Sequence, residues 1–236
     1  MINSSNPTLS FCIITNGRRP RKLNKLLRSI HSMNIPTFEI IICGYLEKPP
    51  PNVTYIADYQ SAETGKLGKM RNKACSAARY DVLVVTDDDV LFDKNFYMAL
   101  CKIGLNFDIA CSKFLNPDGS RYWDWAIDNN EEHRLIQYHQ THSDIYITGG
   151  RCIMTRKVFD HVRWSEILGF YEREDVDYTH RIKEAGFKIQ LFEKLVITHN
   201  DWTYTQRKYM VRHYGIFKVV LRMISRRLKI LNDDEY

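Results

Sequence analysis

The chain has 236 residues, of which 44% are hydrophobic and 26% are charged, a composition that suits one folded domain with a substantial core. Its six cysteines are scattered, without a C-x-x-C pair or a cysteine and histidine cluster, which argues against a zinc finger and predicts reduced, mostly buried thiols. The formal net charge is +6, yet residues 207–229 alone carry eight Lys or Arg and no acid. No basic leader before an apolar run and no apolar stretch of about 18 residues is visible, so we expect neither a signal peptide nor a membrane span.

Short apolar runs alternate with helix-like stretches along the first third of the chain. Continuous β-branched runs predict buried strands at 9–15, 38–43, 53–57 and 81–87. Apolar residues at helical spacing predict helices at 21–33 and 69–80. This alternation is typical of a Rossmann-like α/β domain, with a mainly parallel central sheet flanked by crossover helices.

The second half of the chain is more mixed. It suggests a strand at 107–114, a turn-rich aromatic surface stretch at 116–125 and a helix over 172–186, which acids open and a glycine closes. Two short strands at 187–192 and 195–199 follow, and then a basic helix from about 204 to 231. We therefore expect a catalytic domain over 1–203, followed by a basic amphipathic helix and tail at 204–236.

Three consecutive aspartates end the strand at 81–87. Ligands of open α/β sheets bind beyond the carboxyl ends of the strands, so these acids should face a crevice. Alternation along an extended chain puts Asp87 and Asp89 on one face, where two carboxylates suit Mg²⁺ or Mn²⁺ bridging a diphosphate. The alternative is a helix cap before residues 93–104, a position that aspartates favour.

A second group of acids opens the helix at 172–186. Acids in a first helical turn are stabilised by the helix dipole, which is a sufficient structural explanation. The functional alternative is that one carboxylate, with Asp175 preferred, is the general base that deprotonates an attacking hydroxyl. His199, at the end of a later apolar strand, is either a structural residue or a third metal ligand.

In this order and spacing, the motifs resemble the family 2 glycosyltransferases and their relatives with the GT-A fold. The resemblance runs from Leu9 to His199. It rests on Thr15-Asn16 with a basic loop, Gly65…Arg71-Asn72, Asp87-Asp88-Asp89, Thr148-Gly149-Gly150, Glu174-Asp175-Val176-Asp177…Arg181…Gly186, and His199.

The resemblance implies roles for these positions. Asp89 matches the main metal ligand of the DXD motif, Asp87 the acid that also contacts the ribose, and His199 the histidine that completes the metal site. Asp175 matches the catalytic base, with Glu174 beside it in the motif. Gly149 and Gly150 match backbone that closely approaches the donor sugar or acceptor. The expected nucleotide-binding residues are Thr15, Asn16, Arg18, Asp58, Lys66, Arg71, Asp87 and Asp88.

Two features leave choices open. The second strand ends in Cys43 and Gly44, where many relatives carry an acid that helps to bind the base, so Asp58 is expected to take that role. The base is therefore undecided, with UDP-linked donors as the first choice. Tyr122, Trp123 and Trp125 are either a stacking platform for an acceptor sugar or part of an ordinary packed surface loop.

The expected function is an inverting, Mn²⁺- or Mg²⁺-dependent sugar transfer from a nucleotide-sugar donor to a glycan or lipid-linked acceptor, as in polysaccharide biosynthesis. The expected location is cytoplasmic, including the inner face of a membrane. Residues 207–231 would either contact an anionic bilayer as a peripheral helix or pack on their own domain or a second copy of the chain. The alternatives are a sugar nucleotidyltransferase and a non-catalytic binding module. No motif supports nucleic-acid binding.

Overall fold

The structure is a computed structural model, which describes residues 6–129, 131–170 and 172–200. These residues form an α/β domain around an eight-stranded sheet, with a separate two-stranded sheet. The predicted basic helix and tail at 204–236 lie outside the described residues, so the domain boundary at 203 stays a prediction. No helix in the described ranges is both long and apolar enough to cross a bilayer.

The first half of the chain follows the predicted alternation closely. All four predicted strands and both predicted helices are present within a few residues of their expected bounds, and a short additional helix lies between them. The elements are β1 (Leu9–Thr15), α1 (Pro20–His31), β2 (Phe38–Gly44), β3 (Thr54–Ala57), α2 (Tyr59–Thr64), α3 (Leu67–Ala77) and β4 (Val82–Asp87).

The second half contains more and shorter elements than the sequence predicts. The two strands expected at 187–192 and 195–199 are one strand, whose register shifts between Phe192 and Val196. The elements are β5 (Val90–Phe92), α4 (Phe96–Ile103), β6 (Ile109–Leu115), β7 (Ala126–Asp128), β8 (His133–Leu135), a 3-10 turn (Thr148–Gly150), β9 (Cys152–Thr155), α5 (Arg156–His161), α6 (Glu174–Glu184) and β10 (Ile189–His199).

The large sheet has the strand order β3-β2-β1-β4-β9-β6-β10-β5. Four of the seven pairings between its described strands are parallel, which confirms the mainly parallel sheet. β1 pairs with β2 on one side and with β4 on the other, so the strand order reverses its direction at β1. Such a switch point opens a crevice beyond the carboxyl ends of the strands, where Thr15 and Asp87 end β1 and β4.

Side chains of β1 alternate between two hydrophobic cores, as expected for a strand covered on both faces. Phe11 and Ile13 pack in the core that contains the apolar face of α1. Cys12 and Ile14 pack in the other core with α3, α5 and α6. The helices therefore form a layer on each side of the sheet, and the carboxyl ends of β1 and β4 remain open at its edge.

The prediction that residues 116–125 lie on the surface is wrong for part of the stretch. The turn around Gly119 is exposed, but Trp125 is 6% exposed and packs in a small third core with Ile127, Ile136 and Ile145. Its indole Nε1 donates to the carbonyl of Gln140 at 3.1 Å. Trp125 is therefore a packing residue, because the hairpin of β7 and β8 needs an apolar interior of its own.

Candidate active site

A cavity of about 310 Å³ lies beyond the carboxyl ends of β1 and β4. Its walls come from the loop after β1, from α2 and α3, from the end of β4 and from the loop before α6. The lining residues are Ile14, Thr15, Asn16, Arg18, Arg19, Ala62, Glu63, Thr64, Gly65, Leu67, Met70, Asp87, Asp88 and Phe170. Five of the residues predicted to bind a nucleotide line this cavity, namely Thr15, Asn16, Arg18, Asp87 and Asp88.

Three other residues predicted to bind a nucleotide have different contacts. Asp58 caps the N-terminus of α2 by accepting from the Ser61 amide at 3.2 Å, and it pairs with Lys73 at 2.6 Å. Lys66 donates to the carbonyl of Ile167 at 2.6 Å. Arg71 is 1% exposed and belongs to an internal network. Asp58, Lys66 and Arg71 do not line the cavity formed by the described residues.

Asp88 is fixed in the wall between β1 and β4. The hydroxyl of Thr15 donates to Asp88 Oδ2 at 2.6 Å, and Arg19 lies 3.2 Å from Asp88 Oδ1. Burial raises the pKa of Asp88 to about 6, although Arg19 and the Thr15 hydroxyl act in the opposite direction. Asp88 therefore ties the end of β4 to the loop after β1.

Asp89 and His199 meet because β5 and β10 are paired. Val90 is the strand partner of His199, and His199 Nε2 lies 3.4 Å from Asp89 Oδ2. Arg19 also contacts Asp89 Oδ2, and Arg151 lies 3.9 Å from Oδ1. Burial opposes ionisation of Asp89, but Arg151, His199 and Arg19 outweigh it and lower its pKa. The charged carboxylate is therefore the favoured form.

The donor chemistry around Asp89 fits a divalent cation. Asp89 Oδ1 is buried and has no hydrogen-bond partner among the described residues, and the imidazole of His199 is close by. A carboxylate oxygen with an imidazole nitrogen suits Mn²⁺ or Mg²⁺. Asp87, the third predicted ligand, has other partners: it pairs with Arg71 at 3.3 Å and with Arg151 at 2.9 Å. In the described part of the chain, no set of three or more His, Cys, Asp or Glu side chains forms a ready metal site.

The two predicted catalytic acids at the start of α6 have different surroundings. Glu174 is buried and pairs with Arg71 at 3.2 Å, and burial raises its pKa. Asp175 is half-buried; its Oδ2 accepts from the Gly149 amide at 2.8 Å, and its Oδ1 accepts from the Val176 amide at 2.9 Å. The backbone thus orients Asp175 toward the 3-10 turn, while Glu174 points into the protein.

Residues 7–213 match the family described as "Glycosyltransferase like family 2". The chain belongs to this glycosyltransferase family. No curated protein sequence matches it.

Solved structures show how this glycosyltransferase-like chain relates to larger proteins. S. aureus TarS 1–349 is similar at 14% identity with a TM-score of 0.56, over 82% of this chain and 60% of that one. The same protein in complex with UDP matches equally well over 81% of this chain. GalNAc-T7 with UDP, GalNAc and Mn²⁺ matches at 16% identity with a TM-score of 0.60, over 88% of this chain and 47% of that one.

At such identities the likeness establishes the shared GT-A fold alone. The chain spans about three fifths of the TarS structure and about half of GalNAc-T7, so it resembles only part of each. For this family 2 glycosyltransferase domain, the comparisons confirm the predicted family and fold. The roles of individual residues stay predictions.

The two glycines predicted to approach the donor or acceptor lie against arginines. Gly149 and Gly150 have φ angles of 58° and 65°, which favour glycine. A Cβ on Gly149 would lie 2.5 Å from Arg151 Nη1, and a Cβ on Gly150 would lie 2.6 Å from Arg71 Cζ. The close approach that requires glycine here is therefore to guanidinium groups. Trp125 is buried and cannot serve as a stacking platform for an acceptor sugar, whereas Trp123 is half-buried and remains a candidate.

Two residues of the site, Arg19 and Arg151, were not predicted from the sequence. Arg19 pairs with two of the aspartates, and Arg151 pairs with Asp87 and lies over the ring of Phe114 at 4.8 Å. Tyr122 stacks on His199, with ring centroids 5.7 Å apart and planes 7° apart. The available signals were the position of Arg19 beside Arg18 and that of Arg151 directly after the glycine pair.

Proposed function

We propose that this chain is an inverting glycosyltransferase, which moves a sugar from a nucleotide diphosphate donor to an acceptor hydroxyl of a glycan or lipid-linked saccharide. UDP-sugars are the first choice of donor, since both TarS and GalNAc-T7 have been solved with UDP. Family membership supports the transfer reaction itself. The proposed membrane contact of residues 207–231 and the cytoplasmic location rest on the sequence alone.

One observation carries the proposal: a short chain of contacts links an acid on the proposed donor side to an acid on the proposed acceptor side. Asp87, at the cavity, lies 3.3 Å from Arg71 Nη2, and the same nitrogen donates to the Gly149 carbonyl at 2.8 Å. The amide of Gly149 then donates to Asp175 at 2.8 Å. Thus a carboxylate of the cavity wall and the half-buried carboxylate at the start of α6 are linked by three contacts through Arg71 and Gly149.

In the proposed reaction, Thr15, Asn16 and Arg18 hold the nucleotide in the cavity. Asp175 accepts the proton of the acceptor hydroxyl while that oxygen forms a bond to the anomeric carbon. The bond from that carbon to the diphosphate oxygen breaks on the opposite face, and the nucleoside diphosphate leaves with the electron pair. Inversion follows from this single displacement.

The site also needs positive charge beside the departing diphosphate. A bound Mn²⁺ or Mg²⁺ would supply it, as GalNAc-T7 with Mn²⁺ suggests for this fold. Asp89 and His199 would hold the cation, and Asp87, which pairs with Arg71 and Arg151, would assist. Arg18 and Arg19, at the cavity wall, add two cationic side chains.

The test compares two substitutions by UDP binding with MnCl₂ in calorimetry and by UDP release from a panel of UDP-sugars. Asp175→Asn should lower turnover by about 10²–10⁴-fold, because the base is lost, and should retain UDP binding. Asp89→Ala should weaken the Mn²⁺-dependent part of UDP binding. Asp177→Asn is the matched control, since Asp177 on the same helix pairs with Arg181 at 2.6 Å, and it should behave like the wild type.

Three outcomes would contradict the proposal. Near-normal turnover by Asp175→Asn would remove this residue from the role of base. Pyrophosphate release from a nucleoside triphosphate would indicate a sugar nucleotidyltransferase. No thermal shift with UDP, GDP, CDP or dTDP, with or without Mn²⁺, would indicate a binding module without transferase activity.

A further inference from the structure

Residues 65–72, which include the start of α3, form a docking face for the segment that leads into α6. Lys66 Nζ donates to the Ile167 carbonyl at 2.6 Å. A Cβ on Gly68 would lie 2.1 Å from the Ser165 carbonyl oxygen, so the two backbones touch directly. Asn72 has reciprocal hydrogen bonds of 3.0 Å with the backbone of Trp164. One face of a regular helix therefore holds the irregular segment 164–168.

Arg71 lies on the same face and links three separate parts of the chain. Its Nη1 donates to Glu174 Oε1 at 3.2 Å, and its Nη2 lies 3.3 Å from Asp87 Oδ1 and 2.8 Å from the Gly149 carbonyl. The side chain is 1% exposed. A planar guanidinium can satisfy several acceptors in fixed directions, whereas a lysine ammonium is a single point charge.

Gly150 determines how closely the guanidinium can pack. A Cβ on Gly150 would lie 2.6 Å from both Cζ and Nη1 of Arg71, closer than real Cβ contacts. Arg71 Nε is buried without a hydrogen-bond partner among the described residues. The two terminal nitrogens of Arg71 therefore hold its side chain in place. The guanidinium can pack this closely because residue 150 has no side chain.

We propose that Arg71 is a positioning residue, which sets Asp87 on the donor side relative to Gly149 and α6 on the acceptor side. This inference rests on the proposed function. It revises the sequence-based role of Arg71, because a fully buried guanidinium that lies outside the cavity wall has no access to a nucleotide. Through Gly149, whose carbonyl accepts from Arg71 and whose N–H donates to Asp175, Arg71 fixes the direction of the base.

The first experiment measures binding and turnover of Arg71→Lys separately. The Kd for UDP with MnCl₂ should stay within about threefold of the wild type, because the cavity wall is intact. The kcat for UDP release from the best UDP-sugar should fall about 100-fold, as expected when reacting groups are misplaced by about 1 Å. Arg18→Ala is the comparison variant: Arg18 lines the cavity and is proposed to hold the nucleotide, so its loss should raise the Kd about tenfold.

A second variant tests the same network in case Arg71→Lys does not fold. Glu174→Gln keeps the shape of the side chain and weakens one Arg71 contact, so it should lower kcat at unchanged UDP affinity. The double variant should lose less than the product of the two single effects, because both act through one network. Thermal unfolding confirms that each variant is folded.

Different outcomes would contradict the positioning role of Arg71 and the proposed transferase function. A rise in Kd for Arg71→Lys as large as that for Arg18→Ala, at unchanged kcat, would overturn the positioning role and leave the transferase proposal intact. Multiplicative effects of Arg71→Lys and Glu174→Gln would also overturn it. Failure of the wild-type chain to bind any nucleoside diphosphate would overturn the proposed function, and the positioning role with it.

Discussion

The proposed donor and acceptor sides of the site are built in different ways. On the donor side, the ends of β1 and β4 are held by adjacent strand pairing, with Ile14 opposite Asp87. On the acceptor side, residues 148–151 and the start of α6 are held mainly by contacts of Arg71, Arg151 and Asp175. Backbone pairing distributes its stabilisation over many residues, whereas the acceptor side depends on a few polar side chains. Substitutions on the acceptor side should consequently have larger and more local effects than substitutions on the donor side.

The largest effect should come from Gly150→Ala on the acceptor side. The new methyl group would require a left-handed backbone and displace Arg71, so unfolding free energy should fall by about 1–3 kcal/mol and turnover by about 100-fold. Denaturant unfolding and UDP release measure the two effects. Gly119→Ala is the matched control, because Gly119 has a φ of +83° with nothing in the described part of the chain within 4 Å. An equal loss of turnover in both variants would contradict a specific effect on Arg71.

A smaller loss is expected from Asn72→Ala, which detaches the segment before α6. Removing the side chain leaves the buried Trp164 amide and carbonyl without these partners, which should cost about 2 kcal/mol of unfolding free energy. Hydrogen exchange should increase first in residues 164–168. Asn95→Ala is the control, since Asn95 is exposed and its side chain makes no capping hydrogen bond to α4. Unchanged exchange in 164–168 would show that the docking face does not depend on Asn72.

The smallest effect should come from Glu39→Gln at the amino ends of β1 and β2, at the opposite edge of the sheet from the donor side. Glu39 accepts from Ser10 Oγ at 2.7 Å and from the Arg79 backbone at 2.6 Å. Burial opposes its charge, but these hydrogen bonds and the Arg79 guanidinium lower its pKa. Since the folded-state pKa is lowered, the stabilisation is present above about pH 5 and is lost as the pH falls through the folded-state value.

The Glu39→Gln variant should therefore lose about 1 kcal/mol of unfolding free energy at pH 7. The difference from the wild type should shrink below about pH 5, because protonation removes the same charge. Chemical unfolding at several pH values measures this trend. Glu47→Gln, at an exposed position, serves as the control. A difference that stays constant from pH 7 to pH 3 would rule out ionisation of Glu39 as its cause.

The same contrast explains how much the sequence could predict. The strand ends at Thr15 and Asp87 could be located because β-branched apolar runs mark buried strands and the polar residues after them mark the crevice. The family resemblance pointed to Asp175 and Gly149 as site residues, and the structure brings the two together. These predictions depend on local patterns or on motif order, and both are visible in one sequence.

Other features depend on contacts between distant residues and leave no periodic signal. Only their sequence neighbours, Arg18 and the glycine pair, distinguish Arg19 and Arg151 from other arginines, and these neighbours do not show that the two side chains turn toward the aspartates. Asp58 was expected to bind a base but caps α2, because a side chain that precedes a helix can satisfy its free amide groups. Trp125 was predicted to lie on the surface. This prediction was wrong because the small core that buries Trp125 forms only when β7 and β8 pair.

The position of β9 has a consequence for how the chain is made. β9 is antiparallel to both of its neighbours and fills the centre of the sheet between β4 and β6. During synthesis, β1 to β4 can pair as soon as they emerge, but β4 then presents an open edge until Cys152 to Thr155 have been translated. An open edge is a template for association with other chains, so this interval is the stage at which the nascent chain most needs a chaperone.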